Sequence, residues 1–261
     1  MGILNATPDS FSDGGKFRSP KDAIAQAERM LADGVDLIDI GGESTRPGAE
    51  PVGLQEELDR VLPVIEALKD CGVPLSIDTY KSETMRQALH AGVDCVNDIW
   101  ALRQTGAVDA VLESQNCGIV LMHMQRDPLT MQFDPEYINV IAEVKQFLKD
   151  RADLLISSGI AIDRIAIDPG FGFGKSLEHN LNMLSNFSEF STLGLPVLAG
   201  ISRKSMIGKI TGKDTNDRVA PSIAAAIMAA DRGASIVRVH DVAETVDALK
   251  LWEAIQVDMS V

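Results

Sequence analysis

The stretch Ile165-Ala166-Ile167-Asp168-Pro169-Gly170-Phe171-Gly172-Phe173-Gly174-Lys175 stops an apolar run abruptly at Asp168, then adds a proline, three spaced glycines and a lysine. It reads as a buried strand that delivers a carboxylate to its own end and opens into a loop. Glycines there permit backbone geometries and close approaches that side chains would block.

The same device recurs along the 261 residues. A helical pattern closes at a glycine, a short apolar run follows, and the run ends in polar residues. The closing glycines are Gly34, Gly72, Gly92, Gly118, Gly159, Gly194 and Gly233, each suited to a left-handed helix cap. The runs end at Asp39-Ile40-Gly41-Gly42-Glu43, Ile77-Asp78-Thr79, Asn97-Asp98, Met122-His123, Asp168-Pro169, Ser202-Arg203-Lys204 and Arg238-Val239-His240-Asp241. With the opening run Met1–Asn5 they make eight strands. The strands are continuously apolar, as parallel strands covered on both faces are. The intervening segments are helical. Leu54, Leu58, Val61, Leu62, Ile65 and Leu68 mark one face with a 3.6-residue period, and Val242, Val246, Leu249 and Trp252 mark the last helix. Ser19-Pro20 and Asp134-Pro135 each read as a helix start. Alternating β and α with eight strands predicts a single α/β domain over residues 1–261, a (β/α)8 TIM barrel with its active site at the C-terminal ends of the strands. The first strand begins at residue 1, so the architecture predicts that a longer natural N-terminus supplies the barrel floor.

A net charge of −14 and the lack of a Lys/Arg-rich tail argue against nucleic acid as a partner. No apolar run approaches the roughly 20 residues that span a bilayer, and no signal peptide is visible. Cys71, Cys95 and Cys117 form no CxxC pair and read as free thiols of a reducing, cytoplasmic compartment, the last two in or beside strands.

Every polar cluster falls at a strand end, where helix N-termini also favour anions. Arg46, Arg203, Lys204, Arg238 and His240 gather there on an acidic protein, which points to a small anionic substrate. Asp78, Asn97 and Asp168 end three different strands. They suit a ligand with amidine-like N–H groups, and equally compose a general acid/base pair or a metal site; singly, each also reads as an Asx cap of its loop. Gly174-Lys175-Ser176 matches the end of a phosphate-binding P-loop, but Pro169 stands where its first glycine belongs, and the glycine spacing also fails G-x-G-x-x-G. The loop is read instead as carrying Phe171 and Phe173 to the pocket mouth. His123 is either a site residue or a satisfied core histidine, and His90 and His179 belong to helix surfaces. No HExxH or G-x-S-x-G occurs. Ser202 has no base beside it in sequence, so it is read as a hydrogen-bonding group rather than a nucleophile.

The segments Gly2–Gly15, Asp39–Gly48, Asp168–Lys175, Gly200–Ser205 and Arg238–Asp241 together strongly resemble the dihydropteroate synthase family, in order from residue 2 to about residue 250. The resemblance implies a homodimeric enzyme of folate biosynthesis. It joins 6-hydroxymethyl-7,8-dihydropterin pyrophosphate to p-aminobenzoate with Mg²⁺, releasing pyrophosphate and 7,8-dihydropteroate. The C–O bond ionises and the arylamine attacks the cationic pterin; sulfonamides compete for the arylamine pocket. By matched motif, Asp168, Lys204, Arg238 and His240 are implied as catalytic. Asp78, Asn97, Met122, Asp168 and Lys204 are implied to hold the pterin. Asn5, Thr45, Arg46, Arg238 and His240 are implied to take the pyrophosphate, Asn5 also serving the metal. Phe11, Pro47, Phe173, Ser202 and Lys204 are implied to line the p-aminobenzoate pocket. Phe11 and Asp13, with the Thr45-Arg46-Pro47 loop, are implied to close over the reacting groups and exclude water. Three positions depart from the family's habit: Ala6 for valine, Arg126-Asp127 where glycine is usual, and Pro221 before Ser222. Two alternatives share the pocket. One is a non-catalytic pterin-binding paralogue, opposed by the intact loop motifs. The other is a pterin-barrel methyltransferase with a corrinoid partner, opposed by Ser202-Arg203-Lys204.

Overall fold

The computed structural model describes residues 1–7, 20–44, 50–125 and 135–258. Eight parallel strands succeed one another among them: β1 (Gly2–Asn5), β2 (Ile38–Gly41), β3 (Leu75–Asp78), β4 (Cys95–Asp98), β5 (Gly118–Met122), β6 (Ile165–Asp168), β7 (Leu198–Ala199) and β8 (Ile236–Val237). β1 to β6 pair in sequence order, as do β7 and β8. Single bridges close the ring. Ile167 meets Val197, and Gly2 meets Val239. Ile3 N–H donates to Val239 O and Val239 N–H to Met1 O, both at 2.9 Å. The expected barrel is therefore closed, with its seam in short ladders on either side of β7 and β8.

Helices α1 (Pro20–Ala32), α2 (Leu54–Leu68), α3 (Ser82–Ala91), α4 (Ala107–Leu112), α5 (Val140–Ser157), α6 (Leu177–Ser185), α7 (Ser188–Ser191), α8 (Ser205–Thr211), α9 (Val219–Ala230) and α10 (Val242–Asp258) provide the crossovers. Alternation along each strand divides the core. Leu4, Ile38, Ile40, Ile77 and Ile167 point outward to the helices. Met1, Val120 and Leu198 fill the inner base, against Cys95 and Ala166. On α2 the periodic residues Leu58, Val61, Ile65 and Leu68 are buried as the spacing predicts, while Leu54 is exposed. Pro221 sits in the first turn of α9, where its missing N–H costs no intrahelical bond.

Two local expectations fail. Asp134 lies outside the described residues and Pro135 does not start a helix. α5 begins at Val140, because Asn139 Oδ1 accepts from Ala142 N–H and Glu143 reaches back to Asn139 N–H at 2.8 Å. Gly118 closes no helix; it opens β5 and pairs with Cys95, since α4 has already ended at Leu112.

The end of β4 is a strained turn. Ala101 and Leu102 hold φ of 53° and 55°, uncommon for residues with a side chain. The Asp98 carboxylate accepts from Trp100 N–H and Leu102 N–H, both at 2.7 Å, and Arg151 of α5 donates to the Ala101 and Leu102 carbonyls. Burial pushes the Asp98 carboxyl up to about 7 against these donors. Asp98→Ala should lower stability by roughly 2–4 kcal/mol, because it strands one buried and one half-buried N–H group and leaves the strained pair unsupported. The urea unfolding midpoint reads this directly.

Candidate active site

Backbone register brings the polar strand ends together. Asn5 lies beside Gly41, Gly41 beside Asp78, and Asp78 beside Asn97, while Met122 lies beside Asp168. Partners in a parallel ladder face the same side, so Asn5, Asp78 and Asn97 form one tier facing the barrel interior, and because Asn97 pairs with Val120, Met122 and Asp168 stand two residues further along on the same side. Gly41 leaves a gap in that tier. A side chain there would stand 3.8 Å from Asp78 Oδ2 and 3.9 Å from Asn5 Oδ1.

Arg238, just past β8, bridges two carboxylates of neighbouring strands. Its Nε donates to Asp39 Oδ2 and its Nη2 to Asp78 Oδ2, both at 2.6 Å. Asn97 Nδ2 donates to the same Asp39 oxygen at 3.0 Å. Burial raises the Asp78 carboxyl to about 7, with Arg238 pulling the other way. Opposite carboxylates raise Arg238 further above its ordinary value, against the effect of burial. The remaining oxygens, Asp39 Oδ1 and Asp78 Oδ1, are buried with no hydrogen-bond partner among the described residues.

Asp39 is a member of this network that sequence reasoning passed over. The signal was present: a carboxylate between two buried isoleucines in a parallel strand must point into the barrel.

The second half of the site surrounds Asp168. Its Oδ1 accepts from Gly170 N–H at 2.7 Å, and burial raises its carboxyl while Lys204 opposes. The Lys204 ammonium donates to the Phe171 carbonyl and lies 4.5 Å from the centre of the Phe173 ring. Burial lowers Lys204 to about 8, with Asp168 pulling upward. Ile99, Met122 and Met124 form an apolar wall, on which Phe173 and Trp100 pack. Ser202 Oγ lies 3.0 Å from His240 Nδ1 and accepts from His240 N–H at 3.2 Å. The imidazole that was not evident near Ser202 in sequence is thus supplied from 38 residues away.

Two rim assignments change. Phe171 does not reach the mouth. It is fully buried and stacked on Phe187 at 6.1 Å, because Gly170, at φ 72°, turns the chain back toward α6 and α7. Arg203 is not a cation offered to ligand; its guanidinium is engaged bidentately by Asp241. His123 is buried and bonded to Lys175, and burial together with that ammonium lowers its pKa. His179 caps α6 with Ser176. Phe11, Asp13, Thr45, Arg46, Pro47 and the Arg126-Asp127 pair lie outside the described residues.

A barrel with carboxylates, an amide and a lysine around an apolar slot, and an arginine and a histidine to one side, fits a flat nitrogen-rich ligand bearing an anion. The family model for pterin binding enzymes matches residues 1–240. A dihydropteroate synthase of Haemophilus influenzae is 49% identical over 257 residues, covering 97% of this chain and 92% of the relative. The Burkholderia cenocepacia dihydropteroate synthase complexed with 7,8-dihydropteroate superposes with a TM-score of 0.91 at 52% identity, covering 99% and 91% of the two chains. The Yersinia pestis enzyme in a sulfonamide drug complex superposes at 0.95 and 47% identity, covering 98% and 93%. The chain belongs to the pterin-binding enzymes and, within them, to the dihydropteroate synthase family. Its reaction is the condensation of the pterin pyrophosphate with p-aminobenzoate in folate biosynthesis.

Replacing Arg238 with methionine strands two buried carboxylates. Arg238→Met should cost roughly 3–5 kcal/mol at pH 8. The deficit should shrink at pH 5: Arg238 lowers the Asp78 carboxyl that burial raises, so without the guanidinium the folded chain holds a proton on Asp78 more tightly than the unfolded chain does, and the variant's stability falls as pH rises. Urea titrations at the two pH values check the sign.

Proposed function

We propose that the strand-end residues divide the condensation as follows. Asp78, Asn97, Asp168 and Lys204 hold the edge of the pterin, with Met122 against its face. The observation that carries this reading is the unpaired, buried Asp78 Oδ1 beside Asn97. A buried acceptor without a donor is costly, and the N–H groups of a pterin edge would satisfy it. Arg238, His240 and Asn5, with Thr45 and Arg46, take the pyrophosphate. Ser202, Phe173, Lys204, Phe11 and Pro47 receive p-aminobenzoate.

As the C–O bond breaks, its electron pair leaves on pyrophosphate beside Arg238, and positive charge develops on the pterin above Asp39, Asp78 and Asp168. Fixed charges of the right sign at both ends lower the barrier. The amine nitrogen then bonds to the pterin methylene through its lone pair and gives up one proton to the departing pyrophosphate. Arg238 is already oriented by Asp39 and Asp78, so it meets the leaving group without reorganising.

The gap over Gly41, between Asn5 Oδ1 and Asp78, fits a Mg²⁺ ion carried chiefly by the substrate's own oxygens. No group of three or more His, Cys, Asp or Glu side chains that could hold a metal occurs among the described residues, and Mg²⁺ commonly binds by few protein ligands together with phosphates and waters. Bound there, it would offset charge on the departing pyrophosphate.

The decisive experiment incubates the purified protein with pterin pyrophosphate, p-aminobenzoate and Mg²⁺. Dihydropteroate and pyrophosphate should form together, and Lys204→Ala and Asp168→Ala should each lose roughly a hundredfold or more with folding retained. Affinity for the pterin ester should fall as pH rises through about 8, where Lys204 loses its proton. Asn5→Ala should need more Mg²⁺. Near-normal turnover in either of the first two variants would overturn that residue's role.

A homodimer is supported by apolar surface on neighbouring helices. α9 is apolar on nearly every side, and Met228 there and Leu251 and Ile255 on α10 are 48%, 66% and 54% exposed. Three free cysteines support a cytoplasmic setting, and among the described residues no helix is long and apolar enough to cross a membrane. Recovered from the cytosolic fraction, the protein should sediment at twice the mass of one chain, and Leu251→Glu with Ile255→Glu at half that value. A monomeric wild type would count against the dimer.

A further inference from the structure

Lys175 ends the near-match to a phosphate loop, yet it reaches no ligand position. It is buried, and its Nζ lies 2.9 Å from Gly170 O, 3.0 Å from Phe173 O, 2.9 Å from His123 Nδ1 and 3.3 Å from His123 O. Three N–H donors thus face four acceptors, three of them backbone carbonyls. Packing seals the site from the far side: Phe147 meets the His123 ring edge-on at 4.9 Å.

The segment from Pro169 to Lys175 is neither helix nor strand. Its carbonyls turn onto ammonium groups instead. Gly170 and Phe173 bond to Lys175, and Phe171 bonds to Lys204 on the pocket side. Burial holds Lys175 well below the usual lysine range, although Asp168 raises it. An ammonium so costly to desolvate serves here as the centre on which the loop is wound, and joins it to the end of β5 through His123.

We propose that Lys175 is a positioning residue for the arylamine: without touching substrate, it fixes the Phe173 backbone and therefore the ring that walls the p-aminobenzoate pocket. The inference rests on the assignment of Phe173 to that pocket. Of the pterin anchors, Asp168 and Lys204 touch the loop wound on Lys175, but each keeps a further hold outside it. Asp168 is held by Gly170 N–H, and Gly170 itself is wedged so closely that a side chain there would come within 2.0 Å of His123 O. Asp78 and Asn97 belong to the Arg238 network. Loss of Lys175 should therefore separate the two substrates.

The test compares wild type and Lys175→Met in steady-state assays with each substrate varied. The expected result is a KM for p-aminobenzoate raised at least fivefold, with the KM for the pterin pyrophosphate within twofold of wild type. An unchanged arylamine KM in the folded variant, or an equal rise in both KM values, would overturn the proposal. If Lys175→Met does not fold, His123→Leu withdraws the imidazole acceptor while leaving the ammonium on the carbonyls, and should give the same split at about twofold or more. Failure of both to fold would assign Lys175 to stability alone and likewise overturn it. Failure of the unmodified enzyme to use p-aminobenzoate would instead remove the underlying pocket assignment, an outcome read on a different protein sample.

Discussion

One guanidinium joins the fold to its chemistry. Arg238 leaves β8 and reaches across β1 to carboxylates on β2 and β3, so a single side chain ties the seam of the barrel to its opening. The cost of burying three charges is offset only if each is paired in good geometry, and both contacts at 2.6 Å meet that condition. The arrangement leaves two carboxylate oxygens unpaired. In a purely structural ion pair these would be a defect. At a ligand site they are acceptors kept dry and oriented before the ligand arrives.

The same logic extends to the other side of the mouth. Asp168 and Lys204 oppose each other's burial, and each is displaced from its ordinary protonation range in the direction that desolvation dictates. Charges are thus held in place at the barrel mouth by backbone, as in Gly170 N–H to Asp168, rather than by mobile side chains alone. Such pre-set polarity lowers a barrier because little must reorganise when charge separates.

Much of this was legible in the sequence, for identifiable reasons. Strand ends are where an apolar run meets a polar residue, so Asp78, Asn97 and Asp168 announce themselves, and parallel pairing then turns all three to the inside of the barrel. Asp39 was hidden because it sits inside a run, where only the in-out alternation of a closed barrel reveals which way it faces. Phe171 was misplaced because two phenylalanines in one glycine-rich loop look alike until the positive φ of Gly170 sends one of them outward. Asp134-Pro135 carried a helix-start pattern, but the Asn139–Glu143 exchange satisfied the first turn's donors five residues later. The role of Lys175 depended on three carbonyls converging in space, for which a linear motif has no notation.

The two-residue strands β7 and β8 carry a further consequence. Ladders of three or four paired positions bind β1 to β6, but the ring is completed by two paired positions and two single bridges. Cooperative units of a protein part where backbone pairing is thinnest. Amides around Leu198 and Ile236 therefore belong to the earliest segment to exchange with solvent, and an anion bound to Arg238, which directly follows β8 and whose N–H bonds to Ala199 O, would slow that exchange. The barrel's thinnest join thus lies beside the one side chain that ties its seam to its opening.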